Sequence, residues 1–306
     1  MHTYMVVNIP TKDDFLVISE ALIYEAWINI RELLILKNNV ENSDTGHESK
    51  SKIIVIVPMI HQSIEMYLKG SIVEISPYLI LINHTKVKSR NKIDFSKFKT
   101  LNSSDLFAVY NTFSKSPLNE DYEKWFNDLR SHRNKLTHSV EPNYKLFIKE
   151  LLKHLDMAYK IIYGEHKWIN NHFMSLLANY KKDYADSIAE AFSYFDMHSD
   201  ISDLSKYLEE SDELLVDYLG KDNSFKSIYC PKCISKIEKV ETYERDMIDN
   251  FIPTLQPICD KVKNYKCIAC GYEHLFKICD ICVLADENKS GICKWCLIRD
   301  KYFDES

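Results

Sequence analysis

Eight of the nine cysteines fall into four Cys-x2-Cys pairs, Cys230/Cys233, Cys267/Cys270, Cys279/Cys282 and Cys293/Cys296, and the first 229 residues contain none. No other feature restricts the fold as much. A two-residue gap turns the backbone into a knuckle that aims two thiolates at one point, and two knuckles complete the tetrahedral four-thiolate shell of a structural Zn²⁺. Eight paired ligands therefore imply two zinc ions, and closed thiolate shells leave no position for a catalytic metal. Sequential pairing would unite Cys230, Cys233, Cys267 and Cys270 around one ion and the last four cysteines around the other; interleaved pairing satisfies the same spacing. Cys259 is left over as a buried free thiol. Met1 to Pro10 has neither the basic start nor the apolar run of a secretion signal, which argues against disulfides. The regular knuckles favour zinc over an iron–sulfur cluster.

Upstream of the cysteines the chain reads as mainly α. Of 306 residues only 6 are Gly and 8 Pro, while 45% are apolar, so turns are scarce and a sizeable core can form. Apolar residues recur at helical spacing over Phe15–Leu36, Lys52–Ile75, Leu101–Phe113, Asn119 to near Pro142, and Asn143–Tyr163. Pro58 marks a start or kink in the second of these, and residues 38–52 read as an exposed loop. Met1–Pro10 suggests a short strand or an ordered arm. The resulting organisation is a helical bundle over 1–165, a helical extension with an acidic run over 166–220, and a small zinc-ribbon-like domain of short β-hairpins over 221–306. No segment is apolar enough to span a membrane, and the expected location is cytoplasmic.

The segment Ser131 to Ser139, Ser-His-Arg-Asn-Lys-Leu-Thr-His-Ser, concentrates polar and titratable groups near the end of the fourth helix. Asn134 and His138 lie one turn apart on a shared face, and Arg133 is about 140° round from His138. Arg133-Asn134 followed after three residues by His138 resembles the R-x4-6-H signature of the HEPN superfamily, in which Asn commonly follows the Arg. An earlier helix, His61-Gln-Ser-Ile-Glu-Met-Tyr-Leu-Lys-Gly70, is similar to that family's E-x-x-L-K helix. The likeness covers roughly residues 15–165. It implies a helical bundle, a homodimer with two motifs in one cleft, and metal-independent cleavage of RNA to a 2′,3′-cyclic phosphate and a 5′-hydroxyl, in a toxin or antiviral setting. His138 would act as base or acid, Arg133 would stabilise phosphate charge and Asn134 would orient. His132 is a spare proton-transfer group off that face. Glu65 either pairs with Lys69 one turn on or orients Arg133 from the neighbouring helix.

Binding of RNA has to come from local patches, because the formal charge is −6. Lys86, Lys88, Arg90, Lys92, Lys97 and Lys99 form one such patch, with Phe95 and Phe98 placed either to stack a base or to tuck into the core. The acidic run from Asp196 to Asp217 reads as a solvated helical face. An inhibitory or activating protein partner fits the family resemblance. The competing reading is a non-catalytic bundle for RNA binding or dimerisation that serves as scaffold for a zinc-ribbon docking domain.

Overall fold

The structure is a computed structural model, and it describes residues 6–39, 46–82, 92–138, 146–164 and 168–208, then residues 214, 218, 225–228, 232, 233, 236, 254–257, 264–267, 270, 273–275, 277, 278, 285 and 286. It is mainly helical, with seven α-helices among the described residues. The chain divides into two compact units, residues 1–33 with 42–165 and residues 34–41 with 166–306. Among the described residues no helix is long and apolar enough to cross a membrane.

The first unit is arranged around α2 (Gly46–Ile75). Its apolar residues occupy more than one stripe: Ile56, Ile60, Ile64, Leu68 and Ile72 follow one another every fourth residue, with Val57 and Val73 beside them, and all are buried. A helix apolar on several sides must be enclosed. It is packed by α3 (Ser103–Phe113), α4 (Glu120–His138) and α5 (Ile148–Tyr163). Hydrogen bonds tie it antiparallel to α1 (Lys12–Asn39): Ser19 Oγ donates to the Ser63 carbonyl at 2.9 Å, Lys12 pairs with Glu74 at 2.7 Å, and Lys52 pairs with Glu32. Where α1 crosses the C-terminal half of α2 the contact residue is Gly70. A Cβ there would lie 2.9 Å from Phe15 Cβ and 3.1 Å from the Lys12 carbonyl oxygen, so the helices meet backbone to backbone.

Several boundaries differ from the sequence expectation. α2 begins at Gly46, within the stretch read as loop, and carries Pro58 in its interior. The lost N–H leaves the Ile54 carbonyl without its helical partner, at a position where Ile54 is exposed and water can substitute. α5 begins at Ile148 rather than Asn143, because Phe147 is extended and exposed while the Glu150 carboxylate accepts its backbone N–H at 2.8 Å. Gly164, at φ 85°, closes α5 in a conformation that a side chain would strain. The segment between α2 and α3 forms short pairings, β3 (Ile93–Asp94) parallel with β1 (Val6–Val7), which precedes α1, and β2 (Leu81–Ile82) antiparallel with β4 (Lys99–Thr100).

The second unit contains the antiparallel pair α6 (Trp168–Tyr180) and α7 (Asp186–Tyr207). Their interface is partly polar: His172 and Asp200, both fully buried, meet at 2.6 Å, and the Tyr180 hydroxyl donates to Asp196. Asp203 is also buried. The start of the acidic run is therefore not the solvated face expected from its charge; period and partner, not net charge, decide which carboxylates turn inward. Beyond α7, β5 (Phe225–Ile228) pairs with β6 (Thr254–Pro257), β7 (Asn264–Lys266) with β8 (Glu273–Leu275) and β9 (Lys277–Ile278) with β10 (Ala285–Asp286), all antiparallel.

The α1–α2 crossing makes a direct test. Gly70→Ala adds helix propensity of about 1 kcal/mol but forces two backbones apart, an overpacking cost of about 1–3 kcal/mol. We expect net destabilisation in urea unfolding, and a smaller cost of Gly70→Ala in a Phe15→Gly background, where the opposing Cβ is gone; an unchanged or raised midpoint would mean that the crossing tolerates a methyl group.

Candidate functional site

α4 is held at both ends of its chemistry. Asn119 Oδ1 accepts the Tyr122 N–H at 3.0 Å, and Glu120, Asp121 and Glu123 complement the positive end of the helix. Phe126 and Leu129 form the buried stripe, and Phe126 stacks on the His61 ring of α2 with centroids 4.7 Å apart. Seven residues on from Phe126, Arg133 returns to nearly the same face. It is accordingly half-buried, and its Nε is withdrawn from solvent without a hydrogen-bond partner among the described residues. Asn134, about 100° further round, is exposed and lines a depression of about 410 Å³ with Asn127, Arg130, Ser131 and Lys135. His138 is the last residue of α4, and its side chain lies outside the described residues.

His61, on α2, is 2% exposed and lies within the electrostatic reach of Arg133 and Arg130 on α4. Burial, and then the positive charges of Arg133 and Arg130, lower its pKa to about 3, so the ring is neutral and its charged form is excluded. Glu65 accepts from Lys69 at 2.7 Å and lies 4.0 Å from His61 Nδ1; these are its partners among the described residues, which is the ordinary one-turn pairing rather than a contact to Arg133.

His132 faces away from Asn134, as its position on the helix requires, and its ring centroid is 5.5 Å from that of His154 on α5. His154 was not singled out by the sequence: it carries no spacing signature and stands at the edge of the apolar stripe of α5. The Trp125 Nε1–H donates to His154 Nδ1 at 2.9 Å, which assigns the imidazole proton to Nε2. Burial and the neighbouring His132 lower the His154 pKa to about 4. Both rings border a second depression, of about 540 Å³, together with Asp128, Lys135 and Lys153.

The basic segment is only partly described. Lys92, Lys97 and Lys99 are exposed, whereas Lys86, Lys88 and Arg90 lie outside the described residues. Phe95 and Phe98 are buried at 7% and 8% exposure, so the base-stacking role is replaced by the core role for both rings.

In the second unit a cluster that could hold a metal is built from His198 of α7, Cys233 and Cys267, whose ligand atoms all lie within 4.8 Å of one another. The Cys233 and Cys267 sulfurs are 3.8 Å apart. Two thiolates at about 2.3 Å from a tetrahedral zinc are separated by about 3.8 Å, so the spacing fits a shared ion. Cys267 and Cys270 fall between β7 and β8 in the chain, and Cys270 is the third described thiol. Burial, followed by the charges of Glu190, Cys233 and Cys270, pushes the Tyr194 hydroxyl upward in pKa. His198 was missed by the sequence reading, since a lone histidine far from any Cys-x2-Cys pair has no ligand signature. Cys230, Cys259, Cys279, Cys282, Cys293 and Cys296 lie outside the described residues.

The buried imidazole of His61 gives a pH test. Its folded pKa is below the unfolded value of about 6.5, so its contribution is intact above that pH and is lost as pH falls towards 3, at about 1.4 kcal/mol per unit. His61→Phe keeps a ring against Phe126 and cannot protonate. Relative to the parent it should gain about 2 kcal/mol at pH 5 compared with pH 7.5; parallel stability curves in urea would contradict the assignment.

Compared with protein-family models, with curated proteins and with solved structures, the chain matches none.

Proposed function

We propose that the chain is a metal-independent endoribonuclease of the HEPN type, acting as a dimer in a toxin or antiviral system, with zinc confined to a structural role in the C-terminal region. The observation that carries the reading is the division of labour on α4: Asn134 stands exposed beside Arg130 and Lys135 in an open depression, Arg133 is half-buried with its Nε withdrawn from solvent, and His138 ends the same helix. Cations held in place around a surface depression suit a phosphodiester, whose charge increases in the transition state.

In this reading His138 moves the proton of the 2′-hydroxyl or of the leaving 5′-oxygen, and a second copy of the chain supplies the complementary group. Arg133 stabilises the phosphorane from a half-buried position on α4. Asn134 orients the phosphate. Lys92, Lys97 and Lys99 contribute sequence-independent attraction from outside the site. Two Zn²⁺ bound by the paired knuckles hold residues 221–306 together; the balance of 14 basic and 14 acidic residues there suits a specific partner rather than indiscriminate phosphate binding. The other arrangement, a bundle that only docks partners, draws on the half-buried state of Arg133, which is also how an arginine used purely for packing looks.

Cleavage of a mixed RNA by purified protein in EDTA decides between them. We expect 2′,3′-cyclic phosphate ends, and a loss of about 10²-fold or more for His138→Ala and Asn134→Ala. Arg133→Ala should be equally inactive but also less stable, since its stem is packed, so melting is measured alongside. Full activity in His138→Ala, or activity that returns only with Mg²⁺, would overturn the proposal.

A further inference from the structure

α7 presents three residues at four-residue intervals, Glu190, Tyr194 and His198, which therefore lie along one side of the helix. Each meets the cysteine-bearing segment. Glu190 pairs with Lys236, and it also accepts from the Tyr194 hydroxyl at 3.3 Å. Lys236 Nζ stands 5.9 Å from the centre of the Tyr194 ring. One turn further along, His198 reaches the Cys233 and Cys267 sulfurs. β6 packs on the same helix. The ion pair and the ring fix the position of Cys233 relative to α7, and that register puts an imidazole where the sequence alone leaves room for a fourth thiolate.

We propose that His198 is a metal ligand, completing with Cys233, Cys267 and Cys270 a shell of three thiolates and one imidazole that fastens the first two knuckles to α7. The inference rests on the zinc reading of the knuckles. His198, Cys233 and Cys267 are 1%, 0% and 1% exposed. In so enclosed a place, four thiolates around Zn²⁺ would leave two uncompensated negative charges, whereas three thiolates and a neutral imidazole leave one, which lowers the desolvation cost. Cys267 and Cys270 form one Cys-x2-Cys knuckle, a spacing that aims both thiolates at one ion, which makes Cys270 the fourth donor. Cys230 then falls outside the shell. The metal acts as a rivet between a helix and a hairpin rather than as the internal clasp of a separate small domain.

The test uses full-length protein purified with zinc. X-ray absorption at the zinc edge of the parent should show imidazole scattering, and His198→Cys should keep the parent's zinc content while losing that scattering. His198→Ala should lose one zinc per chain, or hold it more weakly against a chelator than the parent does, and Cys230→Ser should retain both ions. In Co²⁺-loaded protein, His198→Cys should shift the visible bands to lower energy, because sulfur is the weaker-field donor. Imidazole scattering that is absent from the parent, or unchanged in His198→Cys, would overturn the assignment while leaving the zinc reading in place. Loss of an ion in Cys230→Ser with retention in His198→Ala would do the same. A parent chain that binds no zinc would overturn both.

Discussion

The enclosure of α2 is the constraint on which the first unit depends. A helix buried on several sides cannot offer each neighbour a wide apolar stripe, so its neighbours approach through what remains. Gly70 and the Ser19–Ser63 contact let α1 come close, and Lys69 is satisfied internally by Glu65 because water does not reach it. His61, on the same helix, takes the other course and stays neutral, using its ring as a flat surface for Phe126. Glycine, serine, an ion pair and an uncharged histidine are thus four answers to one packing problem.

That enclosure also shapes α4. The helix has one face committed to α2 through Phe126 and Leu129, and Arg133 belongs to that face although its head is charged. The neighbouring Asn134 belongs to the open side. Two adjacent residues of one short motif therefore live in different environments, one stiffened by packing and the other free to meet a ligand. Helix periodicity alone produces this separation, without a dedicated loop.

The helical class and most helices were legible because their signal is local: apolar residues at 3.6-residue spacing over Phe15–Leu36 or Leu101–Phe113 report the buried face directly. The motif on α4 and the distance of His132 from the Asn134 side followed from helix geometry in the same way. What was not legible depends on partners. Nothing local distinguishes Phe95 and Phe98 stacking on a base from the same rings buried in a core. The charge of Asp200 and Asp203 suggests solvent, and only the facing helix reveals otherwise. His154 and His198 acquire meaning from Trp125 and from two cysteines distant in sequence, so no window along the chain could find them. The Cys-x2-Cys pairs announce a metal through spacing, whereas a ligand contributed by a helix has no spacing to read.

The His172–Asp200 contact carries a different kind of consequence. Both side chains are wholly enclosed between α6 and α7, with Trp168 stacked over the imidazole at 5.0 Å. Replacing one partner strands the other away from water, a cost of about 3–5 kcal/mol, while exchanging both for apolar residues of like shape is nearly neutral. Single substitutions at either position meet that barrier, so the two side chains are energetically bound to each other. The helix pair can diverge freely on its outer surface and still preserve, at its centre, a junction that changes as a unit or not at all.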